Sequence, residues 1–196
     1  MTYTTSWEAG AMVLSLLYIL LAIKQSLWCW PAAFFSTLIY AVLFFDASLL
    51  MDSFLNVYYL IMAVYGWYAW KYTNTIVKNE ELEISSYSFF KHLKIIFTLT
   101  LISLVLGYIM STYTKADFAY IDSFTTVFAL FATFMLAQKV LENWLYWVVI
   151  DTVSIYIYIQ KEFYLTAILF VLYTILAIVA YFTWKKEFIL NANPNT

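Results

Sequence analysis

Apolar residues fill this chain in long blocks separated by short polar breaks. Seven blocks fall near 7–23, 27–45, 50–70, 93–111, 121–139, 143–160 and 164–184. Each is long enough to cross a bilayer as a helix, which takes roughly 20 residues with some tolerance. Three blocks also carry polar positions at helical spacing. In the third, Asp52, Asn56, Tyr59, Ala63, Gly66 and Trp70 alternate steps of four and three. In the fifth, Asp122, Thr126, Ala129 and Thr133 share a face. In the sixth, Trp144, Trp147 and Asp151 stand at i, i+3 and i+7, with Tyr158 two turns on. At about 100° per residue such positions line one side of a helix. The pattern predicts an all-α membrane protein of seven transmembrane helices, with polar faces on the third, fifth and sixth.

The breaks predict its organisation. Most links are very short. The exception is 71–92, which carries Lys71, Lys78, Lys91, Glu80, Glu81 and Glu83 and reads as a polar cytoplasmic linker with a short surface helix. Lys24, Lys71, Lys78, Lys91, Lys94, Lys139, Lys185 and Lys186 collect on one side, against Lys115 and Lys161 on the other. The positive-inside rule then places the N-terminus outside and the C-terminus in the cytoplasm. Leu21-Ala22-Ile23-Lys24 matches Leu136-Ala137-Gln138-Lys139, Trp28 falls near Trp144, and Ala69-Trp70-Lys71 matches Thr183-Trp184-Lys185. The organisation expected is a three-helix repeat over 1–70, the linker 71–92, an aliphatic connector helix over 93–111, a second three-helix repeat over 121–184, and a loose cytoplasmic tail over 185–196. Parallel repeats of this 3+1+3 kind are a transporter signature, with the substrate site at middle depth between the halves.

Composition narrows the class. Of 196 residues, 65% are hydrophobic and 11% charged, where a soluble domain carries about 25% charged residues. With three Gly and two Pro, glycine-mediated helix contacts are absent and packing falls to aromatic, Leu and Ala surfaces. There is no Arg and no basic cluster, which excludes a nucleic-acid partner. Cys29 stands alone, which excludes an intramolecular disulfide. The N-terminus lacks a basic stretch and a small-residue cleavage site, so the first helix itself is expected to direct insertion. His92 is the sole histidine. Neither a metal-ligand cluster, a nucleophile elbow nor a Gly-rich phosphate loop occurs, so no enzyme, metal or cofactor is expected. A channel would show rings of like residues.

Asp151 then stands out. A carboxylate deep in a membrane helix costs about 2.5–3.5 kcal/mol on insertion scales. A cation held between indole faces offsets part of that, since each such contact gains about 0.5–2 kcal/mol. Trp144, Trp147 and Asp151 therefore suit a small cationic or aromatic solute, with Asn56, Tyr59, Asp122, Ser123 and Thr126 as further polar groups. Ordinary roles compete with each. Asp52 and Asp122 lie where first-turn acids are favoured, Asn56 suits interhelical hydrogen bonding, and Trp144 suits an interfacial belt. Glu142 with Lys139 reads as a solvated i, i+3 pair.

At Tyr65-Gly66-Trp67-Tyr68-Ala69-Trp70, at Lys139-Val140-Leu141-Glu142-Asn143-Trp144-Leu145-Tyr146-Trp147 and at Asp122-Ser123, the chain resembles the PnuC family of bacterial vitamin transporters. The likeness runs nearly end to end in the same order. It implies an inner-membrane protein with the 3+1+3 architecture of the SWEET sugar transporters. It implies facilitated diffusion of nicotinamide riboside or thiamine, with a cytoplasmic kinase trapping the product, and a homotrimer. It also implies a substrate site that includes Trp144, Trp147 and Asn56. Riboside-type members tend to carry an amide where this chain has Asp151, so the expectation tilts to thiamine first and nicotinamide riboside second. A SWEET-like sugar facilitator and a membrane scaffold are the readings from other classes.

Overall fold

The structure is a computed structural model that describes residues 2–46, 50–72, 82–114, 118–160, 162 and 164–192, with backbone alone at 2–5, 50–52 and 165. The described residues form seven helices: α1 (Thr2–Ile23), α2 (Cys29–Asp46), α3 (Leu50–Tyr72), α4 (Phe89–Tyr113), α5 (Ala119–Ala137), α6 (Asn143–Gln160) and α7 (Tyr164–Ala192). Each matches one apolar block. Five are long and apolar enough to cross a membrane: α1 from Ser6, α2, α4, α5 and α7 from Thr166. The other two, α3 and α6, carry Asn56 and Asp151 and are rich in Tyr and Trp. Of the three helices that carry candidate polar residues, α5 is among those five and α3 and α6 are not.

One expectation at a block end is corrected. The tail from 185 does not begin as a loose segment, because α7 continues through Lys185 and Lys186 to Ala192. Lys and Glu are good helix formers, so a helix carries on where its apolar content stops. In the linker, 82–88 form no helix; Ser85 instead makes an isolated parallel bridge with Val140. Lys78, Glu80, Glu81, Lys115 and Lys161 lie outside the described residues.

The chain divides into two compact units. The first comprises residues 1–83 with the short stretch 137–139. Here α2 packs on both α1 and α3. Small residues allow the close approach: Ser36 donates to the Ala11 carbonyl and Ser53 to the Ala41 carbonyl, each at 2.8 Å. Gly66 lies so close to the Trp30 ring that an added Cβ would overlap it. Trp30 meets Trp70 edge-on, 5.2 Å between centroids. The Trp70 indole N–H donates to the Ala137 carbonyl at 3.2 Å, the Lys139 ammonium lies 4.8 Å from the Trp70 ring centroid, and Gln138 bonds the Tyr65 hydroxyl.

The second unit comprises 84–136 and 140–196. Leu99, Phe128, Ala132, Met135, Tyr146 and Ile150 are central to its core, with Trp147 packed against the edge. The fourth helix was expected as a connector. It belongs to this unit and contributes Leu99 to its core, with Ser103 and Gly107 as its other buried positions.

The same local features recur 114 positions apart along the chain. Gln25 and Lys139 hold φ of 51° and 50°. Each is followed by an amide that reaches back five residues, Ser26 to Leu21 and Val140 to Met135, both at 2.9 Å. That bond closes a helix C-terminus on a left-handed residue. Trp144 meets Trp184 edge-on at 5.4 Å, as Trp30 meets Trp70. The residue equivalent to Trp144 is therefore Trp30, and the alignment through Trp28 is corrected. Trp28 is 68% exposed and sits edge-on to Trp67.

Candidate functional site

α6 carries the densest set of predicted residues. The left-handed turn at Lys139 stops α5 and lets the chain restart at once. The Glu142 carbonyl accepts from Leu145 N at 3.0 Å and Tyr146 N at 3.3 Å, opening the new helix. Asn143, fully buried, donates from Nδ2 to the Val140 carbonyl at 2.7 Å. The next residue, Trp144, is 4% exposed, and its indole N–H has no hydrogen-bond partner among the described residues. Trp147 is half-buried.

Asp151 is 4% exposed. Among the described residues it makes no hydrogen bond or ion pair. Its hydroxyl neighbours on the helix are turned to their own backbone, Thr152 to the Val148 carbonyl at 2.7 Å and Ser154 to Ile150 at 2.9 Å. A buried carboxylate is costly unless a cation or several donors meet it, and the described residues supply neither at that position.

On α5, in the same unit, Ser123 is buried while Asp122 and Thr126 are half-buried. Thr133, on the same predicted face, is satisfied locally by the Ala129 carbonyl at 2.8 Å. Asn56 and Tyr59 belong to the first unit, where Asn56 is buried and Tyr59 half-buried. Ala63, Gly66 and Trp70 are buried too, so the polar stripe of α3 turns inward. The side chain of Asp52 lies outside the described residues.

The 114-residue recurrence separates these positions. Trp144 has an equivalent, Trp30, also without a partner on its indole N–H. Trp147 and Asp151 fall opposite Ala33 and Thr37. Thr37 is satisfied by its own helix, donating to the Ala33 carbonyl at 2.8 Å. The edge-on Trp pair is thus common to both units, and the aromatic-plus-acid set of Trp147 and Asp151 is particular to the second.

Two features of the α5–α6 turn escaped the sequence. Lys139 is 5% exposed and lies over Trp70, and Glu142 accepts from Ser86 and, at 3.2 Å, from the Tyr87 amide. The expected solvated pair of Lys139 and Glu142 is corrected accordingly: each is held by the fold. The available signal was the placement of both between two apolar blocks with almost no loop to spare.

A groove of about 590 Å³ opens on unit two, lined by Thr100, Tyr120, Phe124, Thr152 and Tyr156 among others. It contains none of the predicted site residues, and its walls are nearly all carbon. Among the described residues, no cluster of three or more His, Cys, Asp or Glu is placed to hold a metal.

Comparison with known proteins adds the following. The family profile described as "Nicotinamide mononucleotide transporter" matches residues 5–186. The nicotinamide riboside transporters PnuC of Escherichia coli (strain K12) and of Shigella flexneri are each 24% identical to the chain over 201 residues, covering 90% of this chain and 84% of theirs. The crystal structure of the vitamin B3 transporter PnuC superposes with a TM-score of 0.75 at 17% identity, covering 94% of this chain and 82% of that one. The fold is the same.

Proposed function

The chain belongs to the nicotinamide mononucleotide transporter family, and from that premise we propose that it carries nicotinamide riboside across the bacterial inner membrane by facilitated diffusion. Asp151, buried on the helix that also carries Trp147 with no hydrogen bond or ion pair among the described residues, is the observation on which the reading rests. A pyridinium ring with a fixed positive charge offers an aromatic face to an indole and a charge to a carboxylate. Trp147 and Asp151 form the centre of the proposed site. Trp144, Asp122, Ser123 and Thr126, in the same unit, supply hydrogen bonds to ribose and amide. The riboside takes precedence over thiamine because the named relatives are riboside transporters.

Charge also separates the riboside from its 5′-phosphate. A mononucleotide would bring a phosphate into a site whose charged members, Asp122 and Asp151, are acids, in a chain with no Arg. Like charges at short range disfavour that ligand. Facilitated diffusion only equilibrates a solute, so net uptake needs a cytoplasmic kinase that adds this phosphate after entry. In the proposed topology the N-terminus is outside and the C-terminus cytoplasmic.

Calorimetric titration of purified protein with nicotinamide riboside, its mononucleotide, thiamine and a neutral sugar tests the assignment. Riboside is expected to bind at least tenfold tighter than the other three. Tighter thiamine binding would transfer the site to that vitamin, and binding of none would remove the transporter reading for these solutes.

A further inference from the structure

The most connected polar cluster in the protein lies outside the proposed substrate set. It forms where the end of the linker crosses the head of α6, within the second unit. Leu141 N donates to the Ser85 carbonyl at 2.8 Å, the partner of the bridge between Ser85 and Val140. The next residue, Glu142, takes the Ser86 hydroxyl on one carboxylate oxygen and the Tyr87 amide on the other, at 3.2 Å. His92, in the first turn of α4, places Nε2 3.6 Å from the same carboxylate and Nδ1 3.0 Å from the Tyr146 hydroxyl. Both side chains are only about 15% exposed (15% and 16%). Glu142 thus gathers a strap, 84–87, and the start of α4 onto the first residue before α6.

We propose that Glu142 is a positioning residue for the substrate site. The proposal rests on the transporter reading above. The chemistry is direct. Trp147 and Asp151 lie five and nine residues beyond Glu142 on one rigid helix, at about 1.5 Å rise and 100° per residue. Any slip at the head of α6 moves both. His92 meets the Tyr146 hydroxyl through Nδ1, while Nε2 faces the Glu142 carboxylate from 3.6 Å, beyond direct hydrogen-bond reach. The titratable or charged groups facing the ring are Glu142 and Tyr146 from the head of α6 and Tyr87 from the strap; Lys91 is occupied over the Tyr87 ring, 3.1 Å from its centroid.

The test uses the full chain in detergent with Glu142→Gln, His92→Gln and the double variant. Amide hydrogen exchange reads the latch without any ligand. Glu142→Gln is expected to raise exchange at Tyr87 and Leu141 at least tenfold. Riboside titration reads the consequence. Glu142→Gln is expected to weaken binding at least fivefold with the protein still monodisperse. In the double-mutant cycle, coupling between the two residues is expected to reach threefold or more. A latch that opens with affinity unchanged would make the cluster a structural staple and overturn the proposal, as would unchanged exchange or absent coupling. If Glu142→Gln does not yield folded protein, Glu142→Asp takes its place, with partial loss of protection and affinity expected and full retention counting against the proposal. Failure of the wild-type protein to bind riboside would sink the transporter reading itself, and the positioning role with it, a result told apart by the wild-type titration alone.

Discussion

Replacing Asp151 by Asn separates stability from function in opposite directions. The carboxylate is 4% exposed and meets no donor or cation among the described residues. In the empty protein it is a cost, part of the about 2.5–3.5 kcal/mol that insertion scales assign to a central acid. An amide still needs hydrogen bonds, so only part of that is recovered. A gain of about 1–2 kcal/mol corresponds to a rise of roughly 2–8 °C in melting temperature for a chain of this size. In the complex the sign reverses. Losing a charge-assisted contact to the ligand costs about 1.5–3 kcal/mol, or about tenfold to a hundredfold in affinity. Thermal unfolding with and without riboside reads both at once. At a ligand concentration one hundred times the wild-type Kd, ligand stabilisation is about 2.7 kcal/mol, and it falls to between about 1.4 and 0.4 kcal/mol for the variant. A variant that melts no higher when empty and gains as much from ligand as the parent would show that Asp151 neither strains the fold nor meets the cation.

Three further outcomes are expected. Gly66→Ala pushes a methyl into the Trp30 ring and should lower stability by about 1–3 kcal/mol, seen as a lower melting temperature. Gln25→Gly relieves a non-glycine residue at φ 51° and should raise stability by about 0.5–1 kcal/mol; Lys139→Gly, at the equivalent turn, should not, because it also gives up the contact with Trp70. A reporter fused after Thr196 should be active only in the cytoplasm, and activity confined to the periplasm would invert the topology.

The helices were legible because apolar length is a direct demand of the bilayer, and all seven blocks coincide with helices to within a few residues at most ends. Helix ends were less so. Lys185 and Lys186 read as the start of a tail, yet backbone hydrogen bonding carries α7 on regardless of what the side chains face. Trp28 and Trp30 are two residues apart, and spacing alone favoured the one nearest the lysine; edge-on packing against Trp70 chose the other. Asp151 was found because an acid in an apolar block is rare on energetic grounds. Lys139 was missed for the mirror reason, since a lysine between two blocks reads as a surface marker unless its left-handed backbone and ring partner are known. The strap at 84–87 depends on residues more than fifty positions apart meeting, which no local pattern announces.

The stretch Ala137–Lys139 packs with the first unit although it is made long after the rest of it. Synthesis runs from N- to C-terminus, so α1–α3 emerge first and wait while α4 and α5 are translated. Through that interval the Trp70 indole N–H lacks the Ala137 carbonyl that will accept it, a deficit of about 1–3 kcal/mol wherever no substitute partner is at hand. The N-terminal half made alone should therefore be a poorer folder than its sequence likeness to the C-terminal half suggests, and co-expression of the two halves, split within 73–81, should rescue it.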